Sequence, residues 1–146
     1  MGTSVREAMT PVVRTASPEQ SLVDAAQMMK SDDAGAIPVV DGGRLVGIVT
    51  DRDIAVRAVA EGVDPRTTTI DKIATGDLVT VHSDHDLDEA LALMARHQVR
   101  RLPVVEASDG QVVGILAQAD VALWAKEKKA GEMLEQISQP TSTARE

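Results

Sequence analysis

The chain has 146 residues, a formal net charge of −8, no cysteine, and a single tryptophan as its only aromatic residue. Disulfides, thiolate chemistry and cysteine-ligated zinc are excluded, the acidity argues against a general nucleic-acid binder, and no platform for stacking bases exists. With 43% hydrophobic and 26% charged residues, no apolar run of the roughly 20 residues a membrane helix needs, and Arg6 and Glu7 interrupting any leader-like start, the composition predicts a globular, cytoplasmic protein.

In chain order, Val5 to Pro11 reads as a helical turn stopped by proline, and Val12 to Ala16 as a short extended piece. Ser21 caps a helix with Asp24 at the third position, and Leu22, Ala25, Ala26 and Met29 form its apolar face. Ala36 to Val40 is a strand whose Pro38 implies an edge or an opening in the hydrogen-bond ladder. Asp41, Gly42 and Gly43 make a hairpin turn into a return strand, Leu45 to Val49. A second helix is expected from Asp51 to about Glu61, with Ile54, Ala55, Ala58 and Val59 on one face. Gly62 ends it, and Asp64-Pro65 opens a linker.

The pattern then repeats. Ile70 to Ile73 matches the opening turn, and Leu87, Ala90, Leu91 and Met94 match the first helix at a constant offset of 65 (Leu22 to Leu87). Leu102-Pro103-Val104-Val105 matches Ile37-Pro38-Val39-Val40 at the same offset. A longer second hairpin raises the offset to 67 (Gly47 to Gly114), which places Asp120 on Asp53. An offset kept through a helix and two strands marks an internal duplication. The expected fold is α/β (α+β), a tandem pair of β-α-β-β-α units packed sheet to sheet about a pseudo-two-fold axis. Repeat 1 spans residues 3–63, a linker 64–69, repeat 2 residues 70–125, and a C-terminal helix with a disordered tail 126–146.

The stretch Gly47 to Ile54 carries the most chemistry. Thr50 sits at the N-cap of the following helix and Asp53 three residues on. Unpaired helix N–H groups favour an anion such as phosphate, and a carboxylate can accept hydrogen bonds from a sugar diol. The same two residues also fit a simple capping box that serves only the helix.

A G-h-h-T-x-x-D strand-to-helix junction, a preceding h-P-V-V strand and tandem duplication resemble the cystathionine β-synthase (CBS) domain pair, or Bateman module. The similarity covers about residues 3–125. TDRDI at Thr50 to Ile54, Gly62 to Pro65, and His97 to Val104 look like the small stand-alone bacterial members of the hypoxic-response type. The resemblance implies a regulatory homodimer that binds an adenine nucleotide (AMP, ADP or ATP) between the repeats and signals to a downstream protein in a stress response. It implies that Asp53 holds the ribose, that Thr50 and Arg52 face phosphate, and that Thr15, Ala16, Ala36, Ile37 and Pro38 line the adenine slot. In the second copy Asp120, Thr80, Val81, Leu102 and Pro103 keep their places, but Ala117 stands where Thr50 does. The clefts should therefore be unequal, with the first binding better. Arg100 and Arg101 either reach phosphate from the rim or form a solvated pair. The alternative function is a dimeric scaffold with degenerate clefts.

No nucleophile elbow, acid/base pair or P-loop appears, so no catalytic residue is expected and the chain is not expected to be an enzyme. His82, Asp84, His85 and Asp86 cluster in a turn without a metal-ligand spacing, so no metal site is expected. Met28, Met29 and Met94 fit core positions, and Trp124 a packing or dimer-interface position.

Overall fold

The spacing of Leu22, Ala25 and Met29 produces a helix with those three residues buried, and Leu87, Ala90 and Met94 do the same one repeat later. The structure, a computed structural model, describes residues 3–12 and 14–127. Its elements are a helical turn α1 (Val5–Ala8), strand β1 (Thr10–Pro11), helix α2 (Leu22–Asp32), and strands β2 (Ala36–Asp41) and β3 (Arg44–Thr50). Helix α3 (Asp51–Asp53) continues as a π-helix over Ile54–Val59. After a 3-10 turn (Ile70–Lys72) come β4 (Val81–His82), α4 (Leu87–His97), β5 (Arg101–Val105) and β6 (Val112–Ala117), then a helix α5 over residues 118–127. Almost all of the tail expected over 126–146 lies outside the described residues.

The duplication extends to backbone detail. Both long helices start with a capping box, Ser21–Asp24 and Asp86–Glu89. Both end in a left-handed residue that is not glycine, Asp33 (φ 51°) and Gln98 (φ 57°), again 65 positions apart. Both hairpins carry a bulge at the same place, between Val39 and Val40 and between Val104 and Val105. Gly42 and Gly43, at φ 59° and 81°, make the two-residue turn of the first hairpin, which needs positive φ at both positions. Pro38 lies between β3 and Ala16, and its carbonyl accepts from the Ala16 N–H at 2.9 Å. Its missing N–H faces that same side, so the ladder to β3 loses nothing. Of the extended piece expected over Val12 to Ala16, Val12 N–H donates to Val113 O at 3.0 Å and Ala16 forms a parallel bridge to Val39.

The two repeats exchange their opening segments. Val5 and Ala8 belong to the core built by Val81, Leu87, Leu102 and Leu116, whereas Ile70 and Ile73 belong to the core built by Leu22, Met29, Ile37 and Val49. The backbone contacts are mirrored: Val5 N–H donates to His85 O at 2.8 Å, and Ile70 N–H to Gln20 O at 2.8 Å. Beyond each turn the chain adds to the other repeat's sheet. Thr10 and Pro11 pair with Ile115 and Gly114, and Thr75 bridges to Ile48. Hence one sheet has four strands, β1-β6-β5-β4, while the other has β2 and β3 flanked by single bridges. Glycine is needed where the segments cross. A Cβ on Gly47 would lie 3.1 Å from Thr75 O, and one on Gly114 would lie 3.0 Å from Thr10 O and collide with the Met9 sulfur.

The helix expected over residues 51–61 forms, with a narrower buried face than its sequence implies. Ala58 is buried and Ile54 half-buried, but Ala55 is exposed and Val59 is 71% exposed. The change of period from α to π over Ile54–Val59 alters which residues share a face, and packing leaves only Ala58 fully covered. In the second repeat Trp124 packs against the core beside Val121.

A polar clasp fixes α1 to the second repeat. The buried Ser83 hydroxyl donates to Glu106 Oε1 at 2.5 Å and accepts from Arg6 Nη2 at 2.9 Å, and Arg6 Nη2 pairs with Glu106 Oε2 at 2.6 Å. The Ser83 hydroxyl, and then Arg6, hold the Glu106 carboxyl below its ordinary value. A lowered folded-state value means the clasp contributes at neutral pH and is lost as pH falls through the carboxylate range. Melting curves of wild type and Glu106→Gln are expected to differ at neutral pH and to converge on acidification. Parallel pH profiles would show that the carboxylate contributes nothing.

Candidate functional site

The two helix starts that carry Asp53 and Asp120 are built alike. Thr50 Oγ1 accepts from Asp53 N at 3.0 Å, and Asp53 Oδ2 accepts from Thr50 N at 3.0 Å. This is a complete capping box, so here the helix-serving reading holds. Thr50 is buried, and the Asp53 side chain is 14% exposed with Arg57 Nε 3.9 Å away. Arg57 also donates to Ile73 O at 3.0 Å, which ties this helix to the other repeat's opening turn. At the second start Ala117 offers no hydroxyl, yet its N–H donates to Asp120 Oδ2 at 3.1 Å. A hydroxyl arrives from elsewhere: Thr10 Oγ1 donates to Asp120 Oδ1 at 3.0 Å.

Around Asp120 lies a cleft of about 280 Å³, at the lower edge of the roughly 300–1,000 Å³ usual for small-molecule sites. Ile37 and Pro38 of the first repeat form one apolar wall, and Pro11, Val12 and Ile115 the other. The rim is charged, with Arg14, Asp32 and Arg101. Arg14 makes a bidentate pair with Asp32, at 2.8 Å for each bond, which holds its guanidinium above the ordinary value. Arg101 reaches across from β5 to the first repeat: a Cβ on Gly35 would lie 3.7 Å from its Nη2 and 3.3 Å from Asp51 Oδ2. The cleft thus offers apolar walls for a flat ring, a carboxylate for hydroxyls and guanidinium groups for anions.

Of the residues singled out in the sequence, Ala36, Ile37, Pro38, Arg101 and Asp120 meet in this cleft. The slot residues Ala36, Ile37 and Pro38 thus line this cleft together with the helix start of the second copy, whereas Thr50, Arg52 and Asp53 do not line it, although Thr50 pairs with Ala36 along the hairpin. Thr15 and Arg52 are exposed, and Ala16 is buried in the first core. Val81 and Leu102 are buried in the second core, and Pro103 is buried with them. Thr80 borders a separate depression with Arg44 and Gly76, and Arg100 is exposed outside the cleft. Sequence reasoning missed Thr10, Pro11, Arg14 and Asp32. Only the pairing of β1 with β6 and the salt bridge across residues 14 and 32 bring them in.

A family profile for the CBS domain matches residues 5–59 and 70–127. The chain belongs to the CBS domain family. It is 43% identical over 136 residues to the CBS domain-containing protein YhcV of Bacillus subtilis, covering 92% of this chain and 95% of that one. It is 36% identical over 143 residues to hypoxic response protein 1 of Mycobacterium tuberculosis, covering 97% and 99%. The crystal structure of hypoxic response protein I with two coordinated zinc ions superposes with a TM-score of 0.69 at 38% identity, covering 82% of this chain and 97% of that one. CBSX2 in complex with AMP superposes with a TM-score of 0.70 at 28% identity, covering 88% and 99%. Among the described residues no helix is long and apolar enough to cross a membrane.

Proposed function

We propose that this CBS pair is a regulatory module, without catalytic activity of its own, that binds an adenine nucleotide (AMP, ADP or ATP) between repeats 3–63 and 70–125. The observation that carries the reading is the convergence of Asp120, Arg101 and the Ile37–Pro38 wall, from different repeats, on one cleft. The AMP complex of CBSX2 supports the ligand class. Asp120 would accept from the ribose hydroxyls, Arg101 and Arg14 would face phosphate, and the adenine would lie between Pro38 and Ile115. The pseudo-symmetric position at Asp53 would be a second, separate cleft. Because the walls come from both repeats, ligand would bias their relative arrangement, and a downstream protein that distinguishes the two arrangements would receive the signal. The similarity to hypoxic response protein 1 makes a cytoplasmic stress response the natural setting.

The test is a thermal-shift panel with AMP, ADP, ATP, S-adenosylmethionine and NAD. One or more adenine nucleotides should raise the melting temperature. A flat panel would leave the second reading, a dimeric scaffold whose clefts no longer hold a ligand.

The module would act as a homodimer. Val56 (50% exposed) and Leu123 (57% exposed) occupy matching places on the second helix of each repeat, and Val59 lies beside Val56. Such apolar residues on two symmetric helices suit a self-complementary interface. Val59→Glu is expected to shift the mass measured by light scattering from dimer to monomer. A wild-type monomer would refute the dimer.

A further inference from the structure

Away from the nucleotide cleft, the turn between β4 and α4 gathers two imidazoles and a carboxylate. The ligand atoms of His82, Asp84 and His85 all lie within 4.8 Å of one another, and the two rings are 4.8 Å apart between centroids, tilted by 37°. None of the three lines the cleft.

The backbone beneath them is pinned on several sides. His85 N–H donates to His82 O at 3.1 Å and closes the turn. Ser83 N–H donates to Val105 O, Arg6 N–H to Ser83 O, and Val5 N–H to His85 O. Ser83 itself is buried in the clasp with Arg6 and Glu106. Both histidines are half-buried and Asp84 is exposed, so the side chains border solvent while the main chain is held. Ligands of one tetrahedral ion, at bonds of about 2 Å, sit roughly 3.3 Å apart.

We propose that His82, Asp84 and His85 form a binding site for a divalent transition-metal ion of the zinc or nickel class. Two imidazoles and one carboxylate suit these ions. Three oxygen-poor ligands do not suit calcium or magnesium, which take six or more oxygens or keep their waters. With three protein ligands, a water completes the coordination. The sequence spacing does not announce such a site, because His82 and His85 stand at the end of a strand and in a turn, and only the fold puts their rings together. A bound ion would also tighten the turn that receives α1 from the other repeat.

The experiment is isothermal titration of the full chain, purified without a histidine tag, with zinc chloride and nickel chloride. The expected result is one ion per chain. Loss of a supporting partner alone weakens known sites by about tenfold or more, so His82→Ala and His85→Ala are each expected to weaken binding at least that much, and Asp84→Asn by less. His97→Ala, at the far end of α4, should bind as the wild type does. Melting curves without metal must show each variant folded, and His85→Gln serves where alanine does not fold. Co²⁺-induced NMR broadening centred on residues 82–86 is the second readout. No binding at millimolar metal, or binding that survives both histidine changes or disappears with His97→Ala, overturns the proposal.

Discussion

Asp120→Ala is expected to remove most of the thermal stabilisation that AMP confers, while Asp53→Ala leaves most of it. At a ligand concentration of about 100 times the dissociation constant, the wild type gains roughly 2.7 kcal/mol. Hydrogen bonds to a charged acceptor are worth about 1.5–3 kcal/mol, so losing the carboxylate weakens affinity by about 10- to 100-fold. At the latter figure the same ligand concentration stabilises by only ~0.4 kcal/mol. Asp120 also accepts from the Ala117 N–H and the Thr10 hydroxyl. The variant will therefore melt about 1 kcal/mol earlier without ligand, the usual cost of losing a cap. The diagnostic quantity is the ligand-induced change and not the melting temperature itself. This order reverses the one expected from the sequence, because the cleft with both apolar walls and both arginines is the one at Asp120. A full AMP response in Asp120→Ala would refute the assignment.

Ile70→Ala is expected to cost about 2–5 kcal/mol, the range for deleting a large buried side chain, from a total stability on the order of 5–15 kcal/mol. Ile70 is completely buried, and it lies among Leu22, Met29 and Val49 of the first repeat although the sequence assigns it to the second. The location of the damage is the informative part. Hydrogen exchange should show protection falling at α2 before α4. A loss below about 1 kcal/mol, or exchange accelerating first at α4, would contradict the exchanged packing. Urea melts give the magnitude, and exchange gives the place.

The architecture was legible because each local signal pointed the same way. The offset of 65, the capping pairs at Ser21 and Asp86 and the buried lines Leu22–Ala25–Met29 and Leu87–Ala90–Met94 reappear in the structure, whereas Ala26 and Leu91, read onto the same apolar faces, are exposed at their margins. The exchange of opening segments was not legible. Periodicity says which face of Val5–Ala8 or of Ile70–Ile73 is apolar, but it does not say which repeat's core that face enters. Everything missed at the cleft follows from this. Thr10 reads as the end of a helical turn and Arg14 as part of a short extended piece until β1 is laid beside β6, and Asp32 looks like a solvated helix end until Arg14 reaches it. The π-helix was hidden for a different reason. Ile54, Ala55, Ala58 and Val59 fit an ordinary helix face, and only packing decides which of them turns inward.

The crossing of Val5–Ala8 and Ile70–Ile73 also sets the order in which a nascent chain can mature. Domains form as they leave the ribosome, from the N-terminus onward. The earlier-made half still lacks Ile70 and Ile73 when its own helices and hairpin have emerged, so its interior stays open until translation has passed residue 73. The later-made half faces no such wait, because its borrowed residues Val5 and Ala8 were synthesised first. A ribosome stalled before residue 70 would thus display a first repeat with part of its interior uncovered.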